Sequence, residues 1–398
     1  MNSKQALVPK LRFGEFEDEW SIGDLSSAQI KIIDGDRGVN YPNGDDFSDS
    51  GYCLFLSAKN VTKSGFKFEE TSFISKEKDE SLSKGKAHRN DLLLTTRGTI
   101  GNVAFFNATV PFDNIRINSG MVILRTDLDI ISPSYLYNAF NSPILNKSVK
   151  RTSFGSAQPQ LTVTGIKKFT FPHPSLPEQE KIAAFLTSVD DRIDQLKRKK
   201  SLLQDYKKGA MQKLFSQELR FKDEQGKDFP DWEEKKLGEV CLIRTGKKDV
   251  NEGNPNGIYP FFTCAKKPTF SDYFSFDTEA ILIAGNGEVG HCLYYSGKFE
   301  AYQRTYVLSD FLLPAKYTFI YLNNFFREQV NKQKQMGAMP YIKLGMLNDF
   351  QIKVPTSSDE QTKIANFLST LDQKIEQIDT QITQTQTFKK GLLQQMFV

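Results

Sequence analysis

The stretch PEQEKIAAFLTSVDDRIDQLKRKKSLLQDYKKGAMQKLF, residues 177–215, returns later in the chain as DEQTKIANFLSTLDQKIEQIDTQITQTQTFKKGLLQQMF, residues 359–397. From Glu178 onward the two copies align without a gap and share Gln179/Gln361, Lys181/Lys363, Ile182/Ile364, Phe185/Phe367, Leu186/Leu368, Asp190/Asp372, Ile193/Ile375, Gly209/Gly391 and Phe215/Phe397. A repeat of this size does not arise by chance, and it organises a whole fold. The chain is therefore predicted to be two tandem halves, each ending in this segment.

Both copies have the apolar spacing of a coiled coil. Ile182, Leu186, Val189 and Ile193 step by four and three residues, and Ile364, Leu368, Leu371 and Ile375 repeat the pattern. This spacing is typical of a helix with a continuous apolar seam, about 57 Å long at 1.5 Å per residue. One alternative is that each helix only covers its own domain. Because such a rod is longer than a small domain, we expect the two helices to pair with each other, antiparallel, as a rigid spacer.

Other segments recur in the same order. LRF occurs at 11–13 and 219–221, and a proline-containing loop occurs at 155–171 and 337–352. DLLLTTRGTIGNVAFF (91–106) resembles AILIAGNGEVGHCLYY (280–295), which contains the glycine spacing of a dinucleotide-binding turn. That turn needs a helix after its last glycine, whereas HCLYY is typical of a strand. Both segments are therefore predicted to be strand, glycine turn and strand.

The predicted fold class is α+β, with two globular domains, each followed by a long helix, in a pseudo-twofold tandem repeat. Short β-branched and aromatic runs between turn signals indicate curved sheets in the globular parts. The predicted boundaries are an N-terminal segment 1–20, a first globular domain 21–172, a first long helix 173–218, a junction 219–232, a second globular domain 233–352 and a second long helix 353–398.

Composition excludes several classes of protein. The 398 residues carry a formal charge of only +4, so any basic surface is local. The four cysteines and three histidines are scattered, which argues against a zinc site or a disulfide framework. No run reaches the roughly 20 apolar residues of a membrane span. We expect a reduced, cytoplasmic chain without bound metal or cofactor, and we find no catalytic signature, so catalytic residues are predicted to be absent.

Polar, aromatic and basic residues gather where the two halves differ. Arg, Asn and Gln can make paired hydrogen bonds to base edges, while Lys neutralises phosphates. For each residue, a position in a solvated loop without any DNA contact is the alternative. The DNA-binding candidates are Arg97, Arg116, Asn118, Ser119, Lys147, Lys150, Arg151, Gln158 and Gln160 in the first half, and Asn286, His291, Gln303, Arg304, Lys332, Lys334, Gln335 and Tyr341 in the second.

The repeated helices suggest a shared task, so their seams are candidates for the spacer and for docking partners. These positions are Gln179, Ile182, Phe185, Leu186, Val189, Ile193, Gln361, Ile364, Phe367, Leu368, Leu371 and Ile375. The basic run Lys197 to Lys200 has no basic counterpart at 379–382, which argues against symmetric DNA binding by the helices. It remains either a charged coiled-coil flank or a contact with a neighbouring protein or DNA backbone.

The pattern resembles the specificity subunit of type I restriction-modification systems. The resemblance rests on PSLPEQEKIAAFL (174–186), PTSSDEQTKIANFL (355–368), the RGTIGN turn and the divergent domain before each helix, although Ser358 replaces the proline in the second copy. It implies a non-catalytic reader of a split DNA target, with one domain for each half-site. It also implies two docked methyltransferase subunits that use S-adenosylmethionine to methylate adenine, and restriction subunits that use ATP and Mg²⁺. A tandem scaffold that binds two proteins without reading DNA is the alternative.

Overall fold

The computed structural model describes residues 8–153, 160–335 and 341–397. The chain forms two compact units, the first made of residues 1–197 and 380–398 and the second of residues 198–379. Each unit thus contains one globular domain together with part of both long helices. The structure confirms the mixed fold and the two long helices.

The described part of the first unit contains two four-stranded sheets and two two-stranded pairs. Its strands are β1 (Ser21–Asp24), β2 (Lys31–Asp34), β3 (Cys53–Leu56), β4 (Val61–Thr62), β5 (Gly65–Phe66), β6 (Phe73–Ile74), β7 (Lys86–Ala87), β8 (Leu92–Thr95), β9 (Val103–Phe105), β10 (Ile115–Ile117), β11 (Met121–Arg125) and β12 (Thr170–His173). Its helices are α1 (Lys76–Ser81), α2 (Pro133–Asn141), α3 (Pro143–Ser153), α4 (Val163–Lys167) and the start of α5 (Leu176–Phe215). The strand orders are β2-β11-β8-β9, β6-β3-β10-β7, β1-β12 and β4-β5.

The second unit has one larger sheet in the order β14-β19-β17-β18-β15-β16, with a separate pair β13-β20. The strands are β13 (Trp232–Lys236), β14 (Leu242–Thr245), β15 (Tyr259–Phe262), β16 (Thr269–Ser271), β17 (Phe276–Ala284), β18 (Cys292–Ala301), β19 (Thr305–Ser309) and β20 (Gln351–Pro355). The helices are α6 (Leu237–Val240), α7 (Ala315–Tyr321), α8 (Arg327–Gln335), α9 (Leu344–Asn348) and α10 (Ser358–Gln395), and a π-helical turn, Leu322–Phe326, joins α7 to α8.

The two long helices pair antiparallel within each unit. In the second unit, Lys200 of α5 pairs with Asp379 of α10, and Lys207 of α5 pairs with Asp372 of α10, each at 2.5 Å. Because the residue number rises along α5 while that of its partner falls along α10, the two helices are antiparallel. In the first unit, Lys389 bonds Asp190 at 2.6 Å. The Lys389–Asp190 pair repeats the Lys207–Asp372 pair at the equivalent positions of the two copies.

The C-terminal end of each long helix packs into a globular domain of the other half of the sequence. The end of α10 lies in the core of the first domain, and the end of α5 lies in the core of the second. Leu392, Met396 and Phe397 lie in the first unit's core with Tyr135, and Leu214 and Phe215 lie in the second unit's core with Tyr317. Phe397 lies 5.3 Å from Tyr135 and Phe215 lies 5.9 Å from Tyr317, measured between ring centroids. Burial of these apolar side chains removes surface of both the helix ends and the domains from water, so each helix end and the domain around it stabilise each other.

A buried ion pair fastens the start of each long helix to the segment that opens its own domain. Arg12 makes two hydrogen bonds of 2.8 Å to Glu178, which also accepts from Trp20 Nε1 at 3.3 Å. Arg220 bonds Glu360 at 3.1 and 2.8 Å, and Trp232 Nε1 donates to it at 3.1 Å. Glu178 and Glu360 are fully buried. We call each set of three residues a helix clip, and it gives the repeated LRF segments a structural role that the sequence did not reveal.

The backbone beside each clip also repeats. The amide of Leu219 donates to the carbonyl of Lys213 at 3.0 Å, just beyond the end of the first long helix. At the equivalent place in the first unit, the amide of Leu11 donates to the carbonyl of Gln395 at 3.0 Å. The segment that opens each sequence half therefore lies against the end of a long helix.

Candidate nucleic-acid interface

A glycine turn closes a β-hairpin in each unit. β8 pairs with β9 and β17 pairs with β18, both antiparallel, which confirms the predicted strand, turn and strand. Gly98, Gly101, Gly287 and Gly290 all have positive φ, between 58° and 84°, where a side chain would be strained. In both units a strand follows the glycine turn, where a dinucleotide-binding turn would need a helix, as the sequence predicted.

Two backbone hydrogen bonds join each glycine turn to two other loops. In the first unit, Thr96 N donates to Gly120 O at 2.8 Å, and Leu161 N donates to Thr96 O at 3.0 Å. In the second unit, Gly285 N donates to Arg304 O at 2.9 Å, and Ile342 N donates to Gly285 O at 2.8 Å. We call residues 96–101, 118–120 and 160–161, and their counterparts 285–290, 303–304 and 341–342, the three-loop clusters.

The first three-loop cluster brings together four of the candidates. Arg97 is exposed, and its Nε donates to Oε1 of the exposed Gln160 at 3.0 Å. Asn118 is half-buried and accepts from the amide of Gly120 at 2.9 Å. The amide of Ser119 donates to the Tyr41 hydroxyl at 3.4 Å. The cluster thus presents an arginine and amide groups on a surface fixed by the backbone.

The second three-loop cluster brings together four candidates, and a fifth, His291, directly follows it. Gln303 and Arg304 are exposed, and Gln303 Nε2 donates weakly to Asp249 at 3.4 Å. Tyr341 is 47% exposed and lies under Lys343, whose Nζ is 5.9 Å from the ring centroid. Asn286 and His291 are half-buried, and His291 Nε2 is buried without a partner among the described atoms.

Basic helices pack beneath both turns. A Cβ at Gly101 would lie 2.5 Å from Val149 of α3, and a Cβ at Gly290 would lie 2.9 Å from Val330 of α8. Lys147, Lys150 and Arg151 on α3 are exposed, and so is Lys332 on α8, which pairs with Glu328 at 2.8 Å. Lys334 and Gln335 belong to α8, but their side chains lie outside the described structure, and Gln158 lies outside the described residues.

Arg116 is a correction to the candidate set. It lies on β10 and is only 4% exposed. Its guanidinium forms an ion pair with the buried Asp79, and its Nη atoms donate to the carbonyls of Asp79, Leu82 and Lys84 at 2.6 to 3.0 Å. Arg116 therefore stabilises the first domain from inside and is not available to a nucleic acid.

The helix-seam candidates are packed inside the two units and do not form an open docking surface, because most of the apolar ones lie in the cores together with their own globular domains. Most are less than 10% exposed, and Phe185, Phe367 and Ile375 are half-buried. In the basic run, Lys197 pairs with Asp194 at 3.1 Å and Lys200 pairs with Asp379, as expected for a charged coiled-coil flank. The helices do expose one aromatic residue at equivalent positions, with Tyr206 at 57% and Phe388 at 55%.

The structure adds a loop that the sequence analysis missed. Gly35 follows β2 and packs on the 118–120 turn, and Gly246 follows β14 and packs on Ala301. Arg37 comes after the first glycine, and Lys247 and Lys248 come after the second. The signal in the sequence was a glycine after a strand, followed by basic residues, in both halves. Because DGDR and TGKK share only the glycine, comparison of the halves did not reveal it.

Three of the four thiols are unsuited to nucleophilic catalysis. Burial raises the pKa of Cys53, Cys241 and Cys292 to about 12, so these groups stay protonated at neutral pH. Within residues 8–153, 160–335 and 341–397, no cluster of His, Cys, Asp or Glu could hold a metal ion. None of the helices in these ranges combines the length and the apolar character needed to cross a membrane.

Residues 23–204 and 230–385 match the family model of the type I restriction modification DNA specificity domain. Each match covers one globular domain and much of the long helix that follows it. The chain belongs to this family. Within it, the protein is 37% identical over 154 residues to the type I restriction enzyme EcoDI specificity subunit of Escherichia coli, a match that covers 39% of this chain but 34% of that subunit's length.

Longer matches within the family are more distant. The type I restriction enzyme MjaIX specificity subunit of Methanocaldococcus jannaschii is 25% identical over 335 residues, covering 77% of this specificity-domain chain and 76% of the relative. The crystal structure of a type I restriction-modification S subunit from M. genitalium aligns with a TM-score of 0.67 at 17% identity, covering 98% of this chain and 99% of that one. The latter likeness extends the shared fold to the whole chain.

Proposed function

We propose that this protein is the non-catalytic reader of a type I restriction-modification complex and recognises a split DNA sequence, one half-site with each globular domain. The observation that carries the proposal is the three-loop cluster, which occurs twice with the same backbone hydrogen bonds and different exposed side chains. Two equivalent frameworks with unlike side chains suit two unlike half-sites. Family membership supports the same function.

The proposed contacts divide into two kinds. Arg97, Gln160, Arg304 and Gln303 are exposed in the clusters and can donate to base edges. Lys147, Lys150, Arg151 and Lys332, on the helices beneath the turns, suit phosphates, as does the exposed Lys266. Phosphate contacts position the protein on the duplex, and the cluster residues then select the sequence.

The proposed partners include two methyltransferase subunits and the restriction subunits. Because the apolar seams are buried, recruitment must use exposed helix positions, and Tyr206 and Phe388 are aromatic residues at equivalent sites of the repeat. In the proposal, S-adenosylmethionine, ATP and Mg²⁺ bind to the partner subunits, which methylate adenine and cleave DNA in the cytoplasm. In this proposal the chain selects the DNA target sequence and binds no cofactor.

The docking role of the two aromatic residues has a direct test. Changing Tyr206 and Phe388 together to Ser should reduce co-purification of the methyltransferase by tenfold or more, whereas changing the exposed Lys374 of α10 to Ala should not. Loss of one aromatic residue should leave one methyltransferase bound per chain, measured as the mass of the complex. Full recruitment by the double variant would refute docking at these positions.

The central test is a genome-wide map of adenine methylation in cells that carry this chain with its neighbouring methyltransferase. A split motif with a fixed gap should appear only when the chain is present. Exchanging residues 21–172 for the equivalent domain of a relative should change one half of the motif. Identical maps with and without the chain would instead favour the tandem protein scaffold.

Salt dependence separates the two candidate functions in vitro. For the complex with the methyltransferase, DNA affinity should fall steeply as salt rises, because each phosphate contact releases counterions. Changing Arg97 or Arg304 to Ala should weaken binding at one half-site only, by about 1 to 3 kcal/mol. A uniform loss on all sequences would make the residue a phosphate contact.

A further inference from the structure

We propose that Arg37, on the loop that follows β2, reads a base in the half-site of the first domain. The inference rests on the proposed function and adds a specificity-determining residue to the first three-loop cluster. Arg37 is absent from the sequence-derived candidates, and the contacts of residues 34–38 place it beside Asn118 and Ser119.

Gly35 allows this loop to lie directly on the cluster. A Cβ at Gly35 would be 2.2 Å from the carbonyl oxygen of Asn118 and 3.1 Å from the Cα of Ser119. Real Cβ atoms do not approach backbone this closely, so any other residue would push the loop away. The loop and the 118–120 turn therefore form one continuous surface.

Asp36 fixes the shape of the loop. One carboxylate oxygen accepts from the amide of Gly38 at 2.7 Å. The other accepts from the amide and hydroxyl of Ser83 at 2.7 and 3.0 Å and from the amide of Lys84 at 3.1 Å. These hydrogen bonds, with the Gly38 amide foremost, lower the pKa of Asp36 to about 2. The residue before Arg37 is thus anchored, which reduces the entropy lost when Arg37 binds.

The guanidinium of Arg37 is oriented but not saturated. Its Nη2 donates to the carbonyl of Ser119 at 3.2 Å and lies 3.1 Å from the carboxylate of Asp34. The side chain is 51% exposed. Within the described part of the chain, Nε and Nη1 have no partner. Arg37 therefore keeps donors for an incoming acceptor while two contacts hold it in place.

The charge beside Arg37 favours a base over a phosphate. Asp34 largely offsets the positive charge of the guanidinium and repels an approaching phosphate. The major-groove edge of guanine is neutral overall and offers O6 and N7 as acceptors for an arginine. A paired arginine thus loses most of its attraction for the DNA backbone but keeps its directional hydrogen bonds.

The second domain provides a contrast. There β14 ends in Thr245 instead of an aspartate, and Gly246 packs on Ala301 as closely as Gly35 packs on Asn118. The next residue, Lys247, is exposed. Lys247 follows its glycine as Asp36 follows Gly35, whereas the residue equivalent to Arg37 is Lys248, which pairs with Glu252 at 2.7 Å. An exposed lysine such as Lys247 in place of an anchored aspartate suits a phosphate, so the two equivalent loops differ in the kind of DNA contact that they make.

The test uses the complex of the full chain with its methyltransferase. Arg37→Ala should relax the methylated motif at one base pair of one half-site and reduce discrimination there by roughly five- to a hundredfold. Arg37→Lys should not restore it, because lysine lacks the planar fork of donors. Lys67→Ala is the matched control, since Lys67 is 52% exposed and pairs with Glu69 in the same unit; this variant should keep the wild-type motif.

Two further measurements distinguish the possible failures. The slope of affinity against salt should be unchanged by Arg37→Ala but reduced by about one by Lys247→Ala. Arg37→Ala alone leaves the Asp34 carboxylate without its partner. The double variant Asp34→Asn with Arg37→Ala removes that carboxylate as well, and it should relax specificity at the same base pair. An unchanged motif, or a uniform loss with a smaller salt slope, overturns base reading by Arg37. If the wild-type chain directs no methylation, the proposed function itself fails.

Discussion

The two three-loop clusters share their backbone and differ in their side chains. Thr96 and Gly285 occupy the same place in the hydrogen-bond pattern, yet the next residue is Arg97 in one cluster and Asn286 in the other. The long helices show the opposite behaviour, because the pair Asp190–Lys389 recurs as Asp372–Lys207 with the same side chains. Side chains repeat where they support the fold and diverge where they are exposed on the loops. Under the proposed function, the divergent positions carry the difference between the two half-sites.

The largest effect on stability is expected when either helix clip is removed, and it tests whether the two halves are equivalent. Glu178→Ala and Glu360→Ala should each lower the free energy of unfolding by about 3–5 kcal/mol, because an arginine at 11% or 18% exposure is left without its buried partner. Denaturant unfolding measures both. Lys181→Ala, which breaks a half-exposed pair with Glu15, should cost less than about 1 kcal/mol. Clearly unequal costs for the two glutamates would mean that the clips are not equivalent.

Replacing a glycine of either turn with alanine should lower the free energy of unfolding by less than removal of a helix clip, and the loss should differ slightly between the two halves. Gly101→Ala combines a positive φ with a Cβ 2.5 Å from Val149, while Gly290→Ala would place its Cβ 2.9 Å from Val330. We expect losses of about 2–3 kcal/mol, larger for Gly101, and about 1 kcal/mol for Gly98→Ala, where the space is open. Thermal melts can rank the variants. Adding Val149→Ala should remove the difference between Gly101 and Gly98, and a persisting difference would exclude the steric cause.

Acid should weaken the loop of the first domain through Asp36. Its pKa is lowered from 3.8 to about 2, so its carboxylate stabilises the folded state above pH 3.8, and this contribution is lost as the pH falls through 2. Between pH 5 and pH 2, wild type should lose about 2 kcal/mol more stability than Asp36→Asn. Lys247 occupies the equivalent place in the second domain, so Lys247→Ala should leave the acid dependence unchanged. Parallel acid curves for wild type and Asp36→Asn would contradict the anchoring role.

The smallest expected effect concerns the repeated ion pairs of the helices. Each pair is partly exposed, with side-chain exposures of 17% and 37% for Lys389–Asp190 and 21% and 51% for Lys207–Asp372. Double-mutant cycles to Ala should give coupling energies below about 1 kcal/mol that fall with added salt and are similar for both pairs. A coupling several times larger in one half would break the equivalence of the helices.

The sequence was sufficient for the features that repeat with a period. The apolar spacing from Ile182 onward predicted the long helices, and the paired glycines of 98–101 and 287–290 predicted the hairpins. Both signals depend on local geometry, in which neighbours along the chain decide the structure. The residues Arg97 and Gln160 were also identified as exposed polar groups, and the structure brings them into contact.

The sequence was insufficient where distant residues meet. Arg116 lies between Ile115 and Ile117 on a central strand, and its charge is buried in an ion pair with Asp79. Because Asp79 is distant in the sequence, local patterns could not predict this burial. Arg12 and Glu178 belong to repeated segments, yet nothing local indicates that they pair across the domain. Arg37 was missed for a related reason, since its position depends on packing between Gly35 and Asn118.

The hydrogen bond from Leu11 to Gln395 has a consequence for how such a gene can be rearranged. Because Leu219 makes the same bond to Lys213 just after the first long helix, the contacts do not record which half is encoded first. A recombinant gene that begins at the second half and continues through a short linker into the first should encode the same set of contacts. Under the proposed function, the two recognition domains would then be inherited as interchangeable modules, and selection could exchange one without redesigning the other.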